Sequence, residues 1–247
     1  VPEDSELTVS SLRSRPYIDL TIEVLKNFDI TVNEYRPGVF TIPGGQKYKA
    51  CEISIEGDWS GAAFLLVAGA VAGEITVTGL NPDSRQADRR ILDALQLAGA
   101  EVKISGDSVT VTTGDIRPFS FDITHCPDLA PPLVALAAYA RGTTLLSGAE
   151  RLLTKESNRA QTLTTEAGNL GLKVERKGDT LVIHGGKVTG GEVDAHNDHR
   201  IAMATAVMGL KALHTVRITN AGCVDKSYPQ FFDDLKKIGG TIYESVR

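Results

Sequence analysis

Aspartates stand at Asp58, Asp128 and Asp198, 70 residues apart each time, and a basic series of Arg15, Arg85 and Lys155 keeps the same spacing, with Lys226 one residue late. Carboxylates and cations at matched positions suit two kinds of chemistry, proton transfer to and from a bound molecule and electrostatic capture of an anion. The densest cluster is Arg151-Leu152-Leu153-Thr154-Lys155-Glu156-Ser157-Asn158-Arg159. It places cations around a carboxylate just before and within the first turn of an expected helix, where free N–H groups and the dipole favour anions. Taken alone, the string also fits a solvated Lys-Glu-Arg salt-bridge face. In His196-Asn197-Asp198-His199-Arg200, Asn197 or Asp198 is suited to N-cap a helix, and Arg200 to bind an anion or pair with a surface charge. The two histidines, three apart with no nearby cysteine, do not have zinc-site spacing, and no metal site is expected. Asp128 precedes another helix, where it either caps or accepts a proton from a substrate hydroxyl. Ser14-Arg15-Pro16-Tyr17 offers hydroxyls and a cation beside a proline at helix position N1, which suits a phosphate or an ordinary cap. Lys226 lies in a loop before the last helix.

These residues recur because the elements around them recur. After Asp58 the pattern reads as a helix over 62–71, a strand at 74–78, a helix over 86–98, and two strands joined by a tight turn at Gly106-Asp107. An alternating run at 52–56 reads as a strand ahead of them, giving a βαβαββ unit. The next copy repeats it, with a strand at 119–123, helices over 129–140 and 158–170, a strand at 143–146 and a hairpin turning at Gly178-Asp179; a third starts at Glu192. Gly99, Gly171 and Gly239 close the long helices where a left-handed residue is needed, and Asp29 holds that place in the leading copy. The expected fold is α/β, with βαβαββ units packed around a common helical core. Residues 1–56 are expected to be the truncated remainder of a neighbouring domain, and 57–247 a three-repeat domain.

Composition excludes several classes. At 247 residues and 42% hydrophobic the chain can form a sizeable core, and its longest apolar stretch, 62–72, is too short to span a bilayer. A net charge of -5 argues against nonspecific nucleic-acid binding, while leaving room for a locally basic anion pocket. Three cysteines at no metal-like spacing suggest reduced thiols and a cytoplasmic location.

In this order, Ser14-Arg15-Pro16-Tyr17-Ile18-Asp19, Gly57-Asp58-Trp59-Ser60, Pro127-Asp128, Lys155-Glu156-Ser157-Asn158-Arg159, Asn197-Asp198-His199-Arg200-Ile201-Ala202-Met203 and Lys226-Ser227-Tyr228-Pro229 resemble the 5-enolpyruvylshikimate-3-phosphate synthase family. The resemblance covers essentially the whole chain but only the C-terminal part of the family's length, so a fragment is expected. It implies two halves, each of three βαβαββ units, and transfer of an enolpyruvyl group from phosphoenolpyruvate to shikimate 3-phosphate without metal or organic cofactor. It implies that Ser14 and Tyr17 hold the shikimate phosphate, Asp128 and Lys155 contact the ring hydroxyls, and Arg159, Arg200 and Lys226 hold phosphoenolpyruvate. Glu156 would exchange the proton at the methylene carbon, and Asp128 would be the base at the attacking 5-hydroxyl. Leu153 and Asn158 depart from the family's common Arg and Asp. The N-terminal half of the parent chain would be the missing partner, and without it little turnover is expected. Two other readings compete, a UDP-N-acetylglucosamine enolpyruvyl transferase of similar architecture and a noncatalytic clamp of α/β repeats.

Overall fold

Alanine and glycine dominate the segment after Asp58, and a helix built from them has no polar face to show water. In the computed structural model, which describes residues 2–244, this segment is α2 (Trp59–Ala72), buried on all sides. Two more helices share that character, α4 (Ala130–Ala137) and α6 (His199–Gly209). The three pack against one another and form the centre of the molecule. Trp59, Phe64, Leu66, Leu133 and Leu136 are fully enclosed there, each contributing about 1.5–3 kcal/mol by burial. Helices buried all round exclude the clamp reading, which needs basic inward-facing helices.

The outer elements repeat around this centre. The second unit is complete: β7 (Ser120–Asp122), α4, β8 (Gly142–Ser147), α5 (Arg159–Asn169), β9 (Lys173–Lys177) and β10 (Thr180–Gly185). Its sheet runs β7-β8-β10-β9, with β7 parallel to β8 and the other pairs antiparallel. The first unit has α2, β4 (Glu74–Val77), α3 (Ile91–Leu97), β5 (Glu101–Ser105) and β6 (Ser108–Thr112), in sheet order β4-β6-β5. The third has β11 (Gly191–Asp194) parallel to β12 (Val216–Thr219), with α6 between them and α7 (Phe231–Lys237) following. At the amino-terminal end, β1 (Ser5–Thr8), α1 (Arg15–Asn27), β2 (Asn33–Arg36) and β3 (Val39–Ile42) form a β1-β3-β2 sheet, the same order as the last three strands of the complete unit.

Helix termination follows the expected chemistry. Asp29, Gly99, Gly171 and Gly239 have φ of 63°, 88°, 86° and 105°. In each case the next residue's N–H returns to a carbonyl five positions back, as from Leu172 to Ala167 at 2.9 Å and from Gly240 to Leu235 at 2.8 Å.

One expected strand does not form. Residues 52–56 join no sheet, and Ile55 is 84% exposed. The complete unit pairs its leading strand with the next; here only the Gly57 N–H to Gly79 carbonyl bond, 2.8 Å, remains of that ladder. Alternation of Ile with polar residues sets a period but supplies no partner strand. Two helices also begin later than expected, each behind a 3-10 turn, at Ala87–Arg90 before α3 and at Pro127–Leu129 before α4. No helix among the described residues is long and apolar enough to cross a membrane.

Candidate active site

The repeat places Asp58, Asp128 and Asp198 at the starts of the three central helices, but the three carboxylates have different work. Asp58 is an N-cap, accepting from the N–H groups of Ser60 at 2.9 Å and Gly61 at 3.0 Å. Asp198 accepts from the Arg200 N–H at 3.0 Å and caps α6. Asp128 lies inside the 3-10 turn and makes no cap bond. Its carboxylate faces three cations instead: Arg159 Nη1 at 2.8 Å, Lys155 Nζ at 3.0 Å and Arg200 Nη2 at 3.4 Å. Burial alone would raise its pKa, but Arg200, then Lys155 and Arg159, outweigh it and hold the carboxyl down at about 2.

Arg159 opens α5, whose N-cap Asn158 accepts from the Gln161 N–H at 3.3 Å. Its guanidinium is 0% exposed and bridges the central helices. Nε donates to Asp198 Oδ2 at 2.9 Å, Nη2 to Asp198 Oδ1 at 3.2 Å and also to Glu156, and Nη1 to Asp128. Burial opposes the charge on Arg159, but the Asp198 bond and carboxylates around it keep its pKa above the usual value. Ser157 Oγ adds a 3.0 Å bond to Asp198. Four of the five N–H groups of Arg159 thus point at carboxylates, and an anion that took both ends of its fork would compete with them. Arg200 is less committed, because its Nε–H is buried and has no acceptor among the described residues. Lys226 is exposed and donates to the Asn197 carbonyl at 2.6 Å, beside the left-handed turn of His196 and Asn197.

Ser14 and Tyr17 approach from α1. The Tyr17 hydroxyl lies 3.5 Å from Asp88 Oδ1. Its pKa is raised by burial and then by Asp88 and Asp128, which places the ring beside the carboxylate–cation cluster. Ser14 does not cap α1; its Oγ accepts from Arg151 Nη2 at 2.8 Å. The elements thus bring Ser14, Tyr17, Asp128, Lys155, Glu156, Arg159 and Arg200 to one end of the central helices, with Lys226 at its rim.

Residues 1–235 match the family described as EPSP synthase (3-phosphoshikimate 1-carboxyvinyltransferase). The chain belongs to the EPSP synthase family. Relatives named 3-phosphoshikimate 1-carboxyvinyltransferase include one from Clostridium kluyveri, 40% identical over 98% of this chain and 57% of its own length. Another, from Aeropyrum pernix, is 41% identical over 98% of this chain and 56% of its own. The chain therefore spans little more than half the length of these EPSP synthase relatives. Its fold is shared with the EPSP synthase of Acinetobacter baumannii, at a TM-score of 0.84 and 24% identity, over 100% of this chain and 59% of that one. The enolpyruvyl transferase NikO of Streptomyces tendae has the same fold, at a TM-score of 0.77 and 19% identity, over 98% of this chain and 57% of that one.

Within the EPSP synthase fold, half of the basic series lies outside the cluster. Arg15 pairs with Asp19 at 2.7 Å and Glu34 at 2.6 Å, and Arg85 with Glu23 at 2.8 Å. Conversely, one residue that the sequence marked only as a repeat aspartate and cap, and one that it did not single out, belong to it. Asp198, legible as a cap, is also the buried counter-ion of Arg159. Asp88 is 1% exposed, accepts from the Ser60 hydroxyl, and has its pKa pushed up by burial to about 6. Its signal was hidden in the polar run Asp83-Ser84-Arg85-Gln86-Ala87-Asp88-Arg89-Arg90, which reads as surface.

Proposed function

We propose that this chain supplies one wall of an active site that transfers the enolpyruvyl group of phosphoenolpyruvate to the 5-hydroxyl of shikimate 3-phosphate, releasing phosphate. The observation that carries this reading is Asp128, a carboxylate free of any capping role and ringed by Lys155, Arg159 and Arg200, with Glu156 held to the same guanidinium. Addition followed by elimination needs a base at oxygen, an acid at carbon and cations around highly anionic reactants, and this cluster contains all three.

The low pKa of Asp128 has a consequence for the order of events. With three cations on it the carboxylate is a counter-ion, too weak a base to take a hydroxyl proton. Phosphoenolpyruvate brings its own negative charge to Arg200, Arg159 and Lys226; as those cations turn to it, Asp128 loses the field that depresses its pKa and gains basicity. Glu156, freed from Arg159 by the same exchange, takes up a proton from solvent, delivers it to the methylene carbon as the 5-oxygen bonds to the adjacent carbon, and takes one back from the resulting methyl group as the bond to phosphate breaks. Ser14 and Tyr17 hold the shikimate phosphate, and Lys155 with Asp128 the ring hydroxyls.

Residues 57–247 act as the three-repeat domain and residues 1–56 as the remainder of its neighbour. The parent protein is cytoplasmic, its partners are the two substrates and its own N-terminal half, and turnover requires that half. Calorimetric titration of the folded chain with shikimate 3-phosphate, followed by phosphoenolpyruvate, tests the reading. Binding of shikimate 3-phosphate that survives Arg200→Ala, with phosphoenolpyruvate binding that does not, is expected. A folded wild-type chain that takes up no shikimate 3-phosphate, when a longer chain that includes the N-terminal half takes up none either, would overturn the assignment.

A further inference from the structure

His196 and Asn197, between β11 and α6, are consecutive residues with left-handed backbones, φ 50° and 56°. Residues other than glycine seldom hold that conformation, and two in a row persist only where their surroundings impose it. Glu166 of α5, 3% exposed, holds this turn from the inside. Its Oε1 accepts from His196 Nε2–H at 2.7 Å, and its Oε2 from the Asp194 N–H at 3.1 Å and from Asn169 Nδ2 at 3.0 Å. Asp194 accepts in turn from the His196 N–H at 2.6 Å and from Asn220 Nδ2 at 3.0 Å. One buried carboxylate thus braces the turn through the ring of its first residue and through the strand that enters it. The turn otherwise borders an open cleft of about 570 Å³.

The turn presents the Asn197 carbonyl to Lys226, whose Nζ donates to it at 2.6 Å. Lys226 ends the 3-10 turn Ala221–Lys226, and the N-cap of that turn is Asn220, the residue bonded to Asp194. Lys155 and Arg159 are held by carboxylates, which place them but also offset their charge. Lys226 differs. Among the described residues its side-chain bond is to a neutral oxygen, which fixes one N–H of the ammonium and leaves its charge for an anion. The four-carbon stem is flexible, so the position of that carbonyl decides where the ammonium stands.

We propose that His196, anchored on Glu166, is a positioning residue for Lys226: the bond keeps the His196–Asn197 turn in its left-handed form, and the Asn197 carbonyl then aims the ammonium at phosphoenolpyruvate. This rests on the reading of Lys226 as a ligand of phosphoenolpyruvate and adds to it a residue that acts through the backbone.

The test titrates a longer chain that includes the N-terminal half, first with shikimate 3-phosphate and then with phosphoenolpyruvate, by calorimetry. It compares wild type, His196→Asn, His196→Gln, Lys226→Ala and the double variant of His196→Asn with Lys226→Ala. Asparagine takes the left-handed backbone more readily than glutamine but is too short to reach Glu166, whereas glutamine carries a donor near the place of Nε2. Backbone tolerance alone therefore ranks Asn above Gln, and the bond to Glu166 ranks Gln above Asn. His196 is half-buried, and matched melting temperatures verify that the variants fold. His196→Asn is expected to weaken phosphoenolpyruvate by about three- to tenfold, and His196→Gln by less than about twofold. Shikimate 3-phosphate should change by less than about twofold in both, and adding His196→Asn to Lys226→Ala should cost less than about a further twofold. Unchanged phosphoenolpyruvate binding in His196→Asn, Asn ranking above Gln, or losses that multiply in the double variant would overturn the positioning role while leaving the substrate assignment standing. Wild-type affinity in Lys226→Ala would overturn the assignment of Lys226 and this inference with it, as would a wild-type longer chain that takes up no phosphoenolpyruvate.

Discussion

Arg159 at the start of α5 and Asp198 at the start of α6 form a doubly hydrogen-bonded ion pair, at 2.9 and 3.2 Å, in which neither side chain is reached by solvent. The pair joins two units of the repeat across 39 residues of sequence. Removing one charge leaves the other buried and alone, the costly case for an interior ion pair. Arg159→Met is expected to lower stability by about 3–5 kcal/mol, and Arg159→Met with Asp198→Leu to regain part of that loss. Urea denaturation of wild type, both single variants and the double variant measures it; a double-variant loss equal to the sum of the two single losses would show that the pair is not coupled.

The carboxyl of Asp128 contributes to stability with a definite pH window. Its folded pKa, about 2, lies below the ordinary 3.8, so the folded state holds fewer protons between these values. The contribution is complete above about pH 4 and is lost as pH falls toward 2. Asp198 shifts in the same direction, burial being outweighed by Arg159. The stability of wild type over Asp128→Asn is expected to reach about 2 kcal/mol near neutrality and to shrink through that window, which denaturant midpoints taken at a series of pH values will follow.

Asp88 carries the opposite sign. Burial raises its folded pKa from 3.8 to about 6, so the folded state holds the extra proton between these values and stability falls as pH rises through them. Once ionised, it costs about 3 kcal/mol. Asp88→Asn keeps an acceptor for Ser60 and Tyr17 and removes the charge. It should raise the melting temperature at pH about 7.5 and have little effect at pH about 4; a lowered melting temperature at the higher pH would contradict this.

The four left-handed helix ends offer a paired comparison. A Cβ at Gly171 would meet the Thr189 side chain at 2.5 Å as well as the strain of φ 86°, so Gly171→Ala should destabilise by about 1–2 kcal/mol or more. Asp29 already bears that strain, at φ 63°. Asp29→Gly should stabilise by about 1 kcal/mol, less the small contribution of its exposed pair with Lys49. Thermal melts of both variants provide the check.

Local signals made much of this fold legible. Small apolar residues after each aspartate marked helices with no solvent face, and the glycines at 99, 171 and 239 marked their partners' ends. Residues 52–56 misled because Ile-Ser-Ile alternation specifies a strand's faces and not its neighbour. Charge pairing was harder to read. Nothing near Asp198 announces a guanidinium 39 residues away, and a cap explained the residue sufficiently. Asp128 was ambiguous for the same reason, until the 3-10 turn at Pro127–Leu129 withdrew it from the capping role its two counterparts keep.

The bond from Arg151 to Ser14 closes a loop of 137 residues. Bringing ends so far apart together costs conformational entropy that a single hydrogen bond to a neutral group does not repay. In refolding, this contact therefore forms after the central helices have assembled, and among native fluctuations it is one of the first to open. That edge of the cluster is therefore expected to open separately from the doubly bonded Arg159–Asp198 pair beneath it.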